Sequence, residues 1–535
     1  MAHDDQGPAE GGGAGTVTPV ASQGRLLARN TALNLIGQVL PAVAAILLLP
    51  YTLHGLGVAR FGILSLAWTL LGYLSLFDLG LGRATIRFVS DALGRGRREI
   101  IPSVVWTSIA TQLVSGLIGS VALIVATPYL VPAVIKVPGP LVGEARAVLV
   151  LLGLALPVLI VSSAAKGVLE AHQRFDLVNI VRSVSGTLIF AIPAAGIFAG
   201  LGLAGIMVAI DASLVLVAAA YFVLDMVVAP ELRRSVRVDR RMFRELVFFG
   251  GWVTVSSLIV PVLVYSDRLL LSAIKSVSVL AYYTVPYELT SRLQVIPWSF
   301  GTALFPALSA RAASTPAEIP ALYSRSIKFL FVVMSPLSLG ALVGAHPILQ
   351  LWLGTSFAER GTVVMQLLAV GMLLNALAQM PAQVLDAVGR PDLRAKIFLA
   401  YTPIYLGVVW ALIASFGAVG AAAGWTLRSL LELCVFFAVA WRLRDLGLRA
   451  VVRNRTVAAL GIFLMFSAAG YLVAEMARGS VPWGLAVSAA LVAGYSVVIA
   501  VAILDPAERA QLWTMFHDLV ARPSRDLRVE HGRGV

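Results

Sequence analysis

The sequence predicts an all-α polytopic membrane protein, with about 14 membrane-spanning helices forming two pseudo-symmetric six-helix lobes plus two extra C-terminal helices. Three observations predict it. Of 535 residues, 59% are hydrophobic and 13% charged, too little polar surface for a water-soluble chain of this length. Apolar stretches of about 20 residues, enough to cross about 30 Å of hydrocarbon, recur throughout. One line of text also occurs twice. Val168-Leu169-Glu170-Ala171-His172-Gln173-Arg174-Phe175-Asp176-Leu177 returns as Val384-Leu385-Asp386-Ala387-Val388-Gly389-Arg390-Pro391-Asp392-Leu393, 216 residues later.

The spans fall at 31–53, 61–83, 101–126, 147–171, 178–199, 203–225, 247–267, 278–310, 326–352, 361–386, 397–416, 418–440, 456–477 and 481–503. The eighth is long for one crossing, so it tilts or projects beyond the bilayer. Lys and Arg fix the orientation. Of 41, 31 fall on one side of this alternation, seven on the other, and three (Lys166, Arg292 and Arg428) inside spans. The basic side is therefore expected to be cytoplasmic, with both termini there. The net charge of +13 is accounted for by this topology and by contact with anionic lipid head groups, so nucleic acid is not an expected partner.

Five segments follow: a disordered cytoplasmic tail at 1–28, a first lobe at 29–245 (spans one to six), a second at 246–450 (spans seven to twelve), spans thirteen and fourteen within 451–503, and a cytoplasmic tail at 504–535. Asp4, Asp5 and Glu10 precede a Gly-rich run, unlike the basic start of a cleaved signal peptide. The 226–246 loop and the tail from Pro506 to Arg522 both read as amphipathic surface helices. In the tail, Leu512, Trp513, Phe516 and Leu519 share a face; an ordinary solvated tail is the competing reading.

The duplication extends further. Leu40-Pro41 answers to Val260-Pro261, and Phe61…Gly80 to Tyr282…Gly301, at offsets of 220 and 221. An even number of helices per copy keeps both copies in one orientation, related by an axis along the membrane normal. Pro41, Pro261 and Pro297 are candidate hinges, with static kinks the alternative.

Ionisable residues inside spans need a partner or water. Each embedded base has an acid one turn away: Lys166/Glu170, Glu288/Arg292 and Arg428/Glu432. Acid before base, as in Glu288/Arg292, is the favourable order. These pairs are either structural staples or the lining of a wet cavity. A basic lining suits an anionic passenger such as a pyrophosphate. Arg428, Lys166 and Arg292 are the candidate diphosphate-binding residues. Asp78, Asp211, Glu288 and Glu432 are candidates for ion coupling or structural pairing. Asp267-Arg268 and Asp386, near span ends, read as snorkelling or loop-capping groups.

No Walker motif exists, and the six His and the single Cys434 form no metal-ligand cluster, so neither an ATPase nor a metal or other cofactor is expected. A membrane glycosyltransferase or glycan polymerase is disfavoured, because the short outer loops carry few acids and no Asp-x-Asp. A transporter, not an enzyme, is the expectation.

Several strings carry a family resemblance: Asn34-Leu35-Ile36-Gly37-Gln38, Arg60-Phe61-Gly62, Phe77-Asp78-Leu79-Gly80-Leu81-Gly82 with Arg87, Asp267-Arg268, Ala281-Tyr282-Tyr283 and Phe305-Pro306-Ala307-Leu308-Ser309. Over roughly residues 24–455 the chain resembles polysaccharide-biosynthesis membrane proteins. These are the oligosaccharide-lipid flippases of the multidrug/oligosaccharidyl-lipid/polysaccharide exporter superfamily. The resemblance implies two lobes in a V around a basic cavity, and alternating access. It implies a cargo of undecaprenyl-diphosphate-linked sugar repeat units crossing the inner membrane, with polymerases and glycosyltransferases of the same pathway as protein partners. Drug/cation antiporters and the lipid II flippase share the superfamily. The antiporter branch carries an acid in the first span, where this chain has only Asn34 and Gln38. As an antiporter, Asp78, Asp211 or Glu288 would be the coupling acid.

Overall fold

The computed structural model describes residues 20–74, 78, 80–133, 135–257, 259–387, 390–444, 455–476, 480–506 and 508–509. Among these, all regular structure is helical. Eleven helices are long and apolar enough to cross a membrane. The tail face Leu512, Trp513, Phe516 and Leu519 lies outside the described residues, as does most of the first tail, although helix is already present from Val20.

Predicted spans one and two form one helical run, α1 (Val20–Leu74), broken at Gly57. Straight, 55 residues would extend about 82 Å at 1.5 Å per residue, so the break must reverse the chain. The neighbours show that it does. Gly37, Pro41 and Gly55 lie against Asn179, Gly186 and Ile197, in the same chain order; then Gly62 meets Val277 and Gly72 meets Tyr265, in the opposite order. Gly57 has φ 73°, a left-handed conformation that a residue without Cβ adopts without strain. Pro41 packs against Gly186.

Span two was expected to reach residue 83. Instead α1 stops at Leu74, and a separate amphipathic helix, α2 (Leu81–Gly94), buries Leu81, Ala84, Thr85, Val89 and Ala92 on one face. The first half continues with α3 (Ile101–Ala133), α4 (Val142–Ala171), α5 (Phe175–Phe198) and α6 (Leu203–Val228).

Span seven is covered by α7 (Arg240–Ser257) and α8 (Ile259–Ile274), on either side of residue 258, which lies outside the described residues. The 226–246 loop is met by a short 3₁₀ turn, Pro230–Arg233, and the start of α7. This linker docks on the first half: Asp239 N donates to Thr107 Oγ1 at 2.9 Å, and Trp106 Nε1 to Leu232 O at 3.3 Å. Span eight is two helices, α9 (Val277–Ser291) and α10 (Val295–Ser314), separated by a 3₁₀ turn at Arg292–Gln294. Pro297 falls in the first turn of α10, after the 3₁₀ turn, where a missing N–H costs little; Pro261 lies in α8. Span nine is α11 (Ile319–Val343) followed by α12 (Ala345–Leu353).

Next come α13 (Thr355–Ala387), α14 (Pro391–Phe416) and α15 (Ala418–Arg444). The duplicated line marks the same corner twice. α4 ends at Ala171 and α13 at Ala387; α5 starts at Phe175 and α14 at Pro391. Arg174 N donates to Leu169 O at 2.9 Å, and Arg390 N to Leu385 O at 3.0 Å. Packing repeats too: α4 lies against α3 and α6, and α5 against α1 and α6, just as α13 lies against α11 and α15, and α14 against α8 and α15. The appended pair, α16 (Thr456–Met476) and α17 (Val481–Ile503), packs on α11, with Tyr495 donating to Ser335 Oγ at 2.8 Å.

One apolar core, including Phe61, Leu64, Leu152 and Ile206 of the first half and Leu271, Val277, Leu280 and Tyr283 of the second, joins the halves toward the Arg-poor ends of their helices.

Candidate functional site

Three groups of embedded charges occupy different depths. At 1.5 Å per residue, Arg268 lies about 9 Å along α8 from its Arg-poor end, Arg428 about 15 Å along α15, and Arg292 about 22 Å, just past α9. Lys166 sits about one and a half turns from the basic end of α4.

The deepest group is a closed cage in the second half. Arg428 is 6% exposed. Its Nη1 donates to Leu263 O at 2.6 Å and its Nε lies 3.6 Å from Glu432 Oε1. Glu432 also accepts from the Tyr401 hydroxyl and, at 3.3 Å, from Asn375 Nδ2. Asp267 and Arg268 belong to the same cage. Asp267 accepts from the Tyr283 hydroxyl and from Arg268 N at 2.8 Å. The Arg268 guanidinium stacks 4.0 Å over Tyr287, whose ring is 6.0 Å from Trp425; Arg428 lies 5.5 Å over Trp425 and 5.6 Å over Tyr405. Two acids and two bases thus sit among aromatic faces that favour guanidinium. Asp267-Arg268 was expected at a span end. The helix instead runs on to Ile274, and the pair is buried within the protein. The available signal was tyrosine spacing: Tyr283/Tyr287 and Tyr401/Tyr405 each stand one turn apart in apolar helices.

Arg292 occupies the break between α9 and α10. It pairs with Glu288 at 2.9 Å, the shortest of the three one-turn pairs and the one in acid-first order. Its guanidinium crosses to the other half, 5.5 Å from the Phe190 ring of α5, and its Nε has no hydrogen-bond acceptor. The side chain is half-buried. Beside it runs an aromatic series across α1 and α5, Phe61–Trp68–Phe190, with centroids 5.9 and 5.5 Å apart.

Lys166 is the most open of the three bases, 42% exposed, with Glu170 3.6 Å away. Asp78 lies outside any long helix. Its carboxylate accepts from Gly82 N at 3.2 Å, at the start of α2, and from Gln112 Nε2 at 2.6 Å. It anchors α2 to α3 and α4, because Gln112 Oε1 in turn accepts from Ala164 N. Asp211 is half-buried in α6, with Oδ1 unpartnered. Sequence reasoning passed over Asp225, which is buried near the basic end of α6 with Oδ1 unpartnered. Its position four residues after Tyr221, in a helix whose other strongly polar residues are Asp211 and Ser213, was the only signal. The structure therefore brings Arg428 and Glu432 together with Asp267 and Arg268, keeps Arg292 at the seam, and leaves Lys166 apart in the first half.

Comparison with known proteins places these features. The signature of the family described as polysaccharide biosynthesis protein matches residues 27–311. The "Putative O-antigen transporter" of Shigella flexneri is 30% identical over 408 residues, covering 76% of this chain and 95% of that protein. The "Probable flippase AglR" of Haloferax volcanii is 24% identical over 405 residues, covering 74% of this chain and 79% of that protein. Among solved structures, the inward-facing conformation of a multidrug resistance MATE family transporter of the MOP superfamily superposes with TM-score 0.67. It covers 78% of this chain and 98% of that one at 14% identity, a likeness of fold.

Proposed function

Because this chain belongs to the polysaccharide biosynthesis protein family, we propose that it flips an undecaprenyl-diphosphate-linked oligosaccharide, a surface-polysaccharide repeat unit, across the inner membrane by alternating access. In this reading the halves are two six-helix lobes, α7–α8 and α9–α10 each count as one crossing, and the two arms of α1 count as two, giving 14 spans. The basic ends face the cytoplasm.

The observation that carries the reading is Arg292. It stands at a 3₁₀ turn within a helical run, on the seam between the halves, with donor capacity beyond its Glu288 partner. A planar guanidinium matches a diphosphate with two parallel hydrogen bonds, and a 3₁₀ stretch inside a helical run often marks a functional hinge. Lys166, nearer the basic end and half-exposed, is placed to meet the diphosphate first. Arg292 takes it deeper, with Glu288 yielding the guanidinium as the phosphate arrives. Sugars travel between the lobes while the lipid tail stays in the bilayer. Enclosure makes Arg428 a member of the scaffold behind this path. The antiporter reading loses one of its acids, since Asp78 holds the start of α2.

The test uses cells whose surface glycan depends on this protein. Arg292→Ala removes a charge-assisted hydrogen bond of about 1.5–3 kcal/mol, so export is expected to fall about ten- to a hundred-fold at unchanged protein level, with Arg292→Lys partly active. Undiminished export by an Arg292→Ala/Lys166→Ala double variant removes both residues from the path. Drug resistance on overexpression with unaltered glycan favours an antiporter.

A further inference from the structure

The Arg-poor ends of the two halves are held together by a short extended segment, residues 135–138, between α3 and α4. Three hydrogen bonds join it to the turn between α8 and α9. Lys136 N donates to Ser272 O at 3.2 Å, Val277 N donates to Lys136 O at 3.2 Å, and Lys136 Nζ donates to Ile274 O at 2.6 Å. Ile274 is the last residue of α8. A cation there satisfies a terminal carbonyl and meets the negative end of the helix dipole. Lys136 thus caps, from the first half, a helix of the second. The C-terminal end of α14 is served by Lys275 Nζ, which donates to Ala414 O at 2.8 Å, but within its own half.

Beside this bond set the backbones approach as closely as they can. A Cβ at Gly62 would overlap the Val277 carbonyl. Gly62 ends the string Arg60-Phe61-Gly62. Arg60 grips Glu144 at 2.7 Å across the start of α4, and Phe61 is wholly buried. Arg60 therefore fixes α1 against its own half, Phe61 sits in the core that joins the halves, and Gly62 admits the other half. Trp352 Nε1 adds a further tie between the halves, donating to Ile46 O at 2.7 Å.

We infer that residues 135–138, with Gly62, form a latch that holds the Arg-poor end shut, and that its release is the step that opens this end. The latch rests on the alternating-access reading. Cargo leaving at that end requires the halves to part, and parting them breaks the Lys136 cap and both backbone bonds. A hydrogen bond of ordinary net worth shifts such an equilibrium about two- to ten-fold. A side chain at position 62 shifts it further, because the closed packing then has no room.

The test places Val277→Cys, buried when closed, in a full-length Cys434→Ser background. A membrane-impermeant maleimide is applied from each face of the membrane in turn. From the Arg-poor face, Lys136→Ala is expected to raise the labelling rate about two- to ten-fold, and Gly62→Ala more. Lys136 is an exposed loop residue, so its variant keeps the fold even if Gly62→Ala does not; thermal stability in detergent checks both. Equal rates in parent and Lys136→Ala, with stability retained, overturn the latch and leave alternating access standing. Labelling from neither face in any variant overturns both.

Discussion

The two halves share a backbone plan and differ in where they keep their charges. By the 216-residue offset, Arg428 and Glu432 of α15 answer to Ala212 and Leu216 of α6, and Lys166 of α4 answers to Ala382 of α13. The second half buries Asp267, Arg268, Arg428 and Glu432 in an aromatic cage, whereas Lys166 and Glu170 of the first stay partly open. Even a shared tie has changed its chemistry. The corner between α1 and α4 is held by the Arg60–Glu144 ion pair. At the corresponding corner of the second half, Arg360, which answers to Glu144, donates to the Tyr282 hydroxyl at 3.2 Å and lies over its ring. Duplication fixes where helices end and which ones touch. It leaves each half free to become either a rigid support or a wet surface.

The largest expected effect follows from the cage. Removing one member strands its partner away from water, which costs about 3–5 kcal/mol. Arg428→Ala and Asp267→Ala are each expected to lower stability by that much, measured by thermal unfolding in detergent. Replacing both ends of one pair, as in Arg428→Leu with Glu432→Leu, is expected to cost much less than the sum of the single changes, because no charge is left alone. Additive losses would mean that these groups are solvated, and the contrast with Lys166 would vanish.

A smaller effect is expected where the second half holds the chain end. Lys328 of α11 is 3% exposed and pairs with Glu508 at 2.7 Å, beyond the end of α17. Burial raises the Glu508 pKa, but the hydrogen bond from Lys328, the Asp505 N–H and the nearby charges of Lys328 and Arg325 outweigh it, holding the carboxyl below the usual glutamate range. A carboxyl depressed in the folded state stabilises above its unfolded pKa, and that stability is lost as pH falls through the folded value. Glu508→Ala is expected to cost about 1–3 kcal/mol at neutral pH. Its difference from the parent should shrink as pH drops below the ordinary glutamate range, read from unfolding midpoints across pH. A difference independent of pH would assign the contact to packing alone.

Helix content, the duplicated corner and the one-turn pairs were legible in the sequence because each has a short period or a literal repeat. The Lys166/Glu170, Glu288/Arg292 and Arg428/Glu432 spacings all became close pairs. The break at Gly57 lies in the gap read between spans one and two, but interruptions within spans were not legible. Hydropathy runs straight through residues 292–294 and past Gly344, because a break inside protein does not change side-chain polarity. The same blindness placed Asp267-Arg268 at a span end and Asp78 inside a span. The cage was hidden for another reason: its members come from α8, α9, α13, α14 and α15, and no local pattern states that these helices converge. Nor does the sequence show that Gly62 matters, since what excludes a side chain there is a carbonyl 215 residues away in the chain.

The smallest expected change in stability is the one that most sharpens the contrast. Lys166 and Glu170 form a one-turn pair with the base first, 3.6 Å apart and partly open, a type worth about 0–1 kcal/mol. Lys166→Ala is therefore expected to move the unfolding midpoint little while reducing glycan export. Arg428→Ala is expected to reduce export only in proportion to the folded protein that remains. The comparison is made as export per folded molecule, with folded protein measured on the same cells. A charge that serves the cargo lowers that ratio; a charge that serves the scaffold leaves it unaltered. If Lys166→Ala leaves the ratio unaltered and Arg428→Ala lowers it, the roles assigned to the halves are reversed, and the path of the diphosphate runs through the cage.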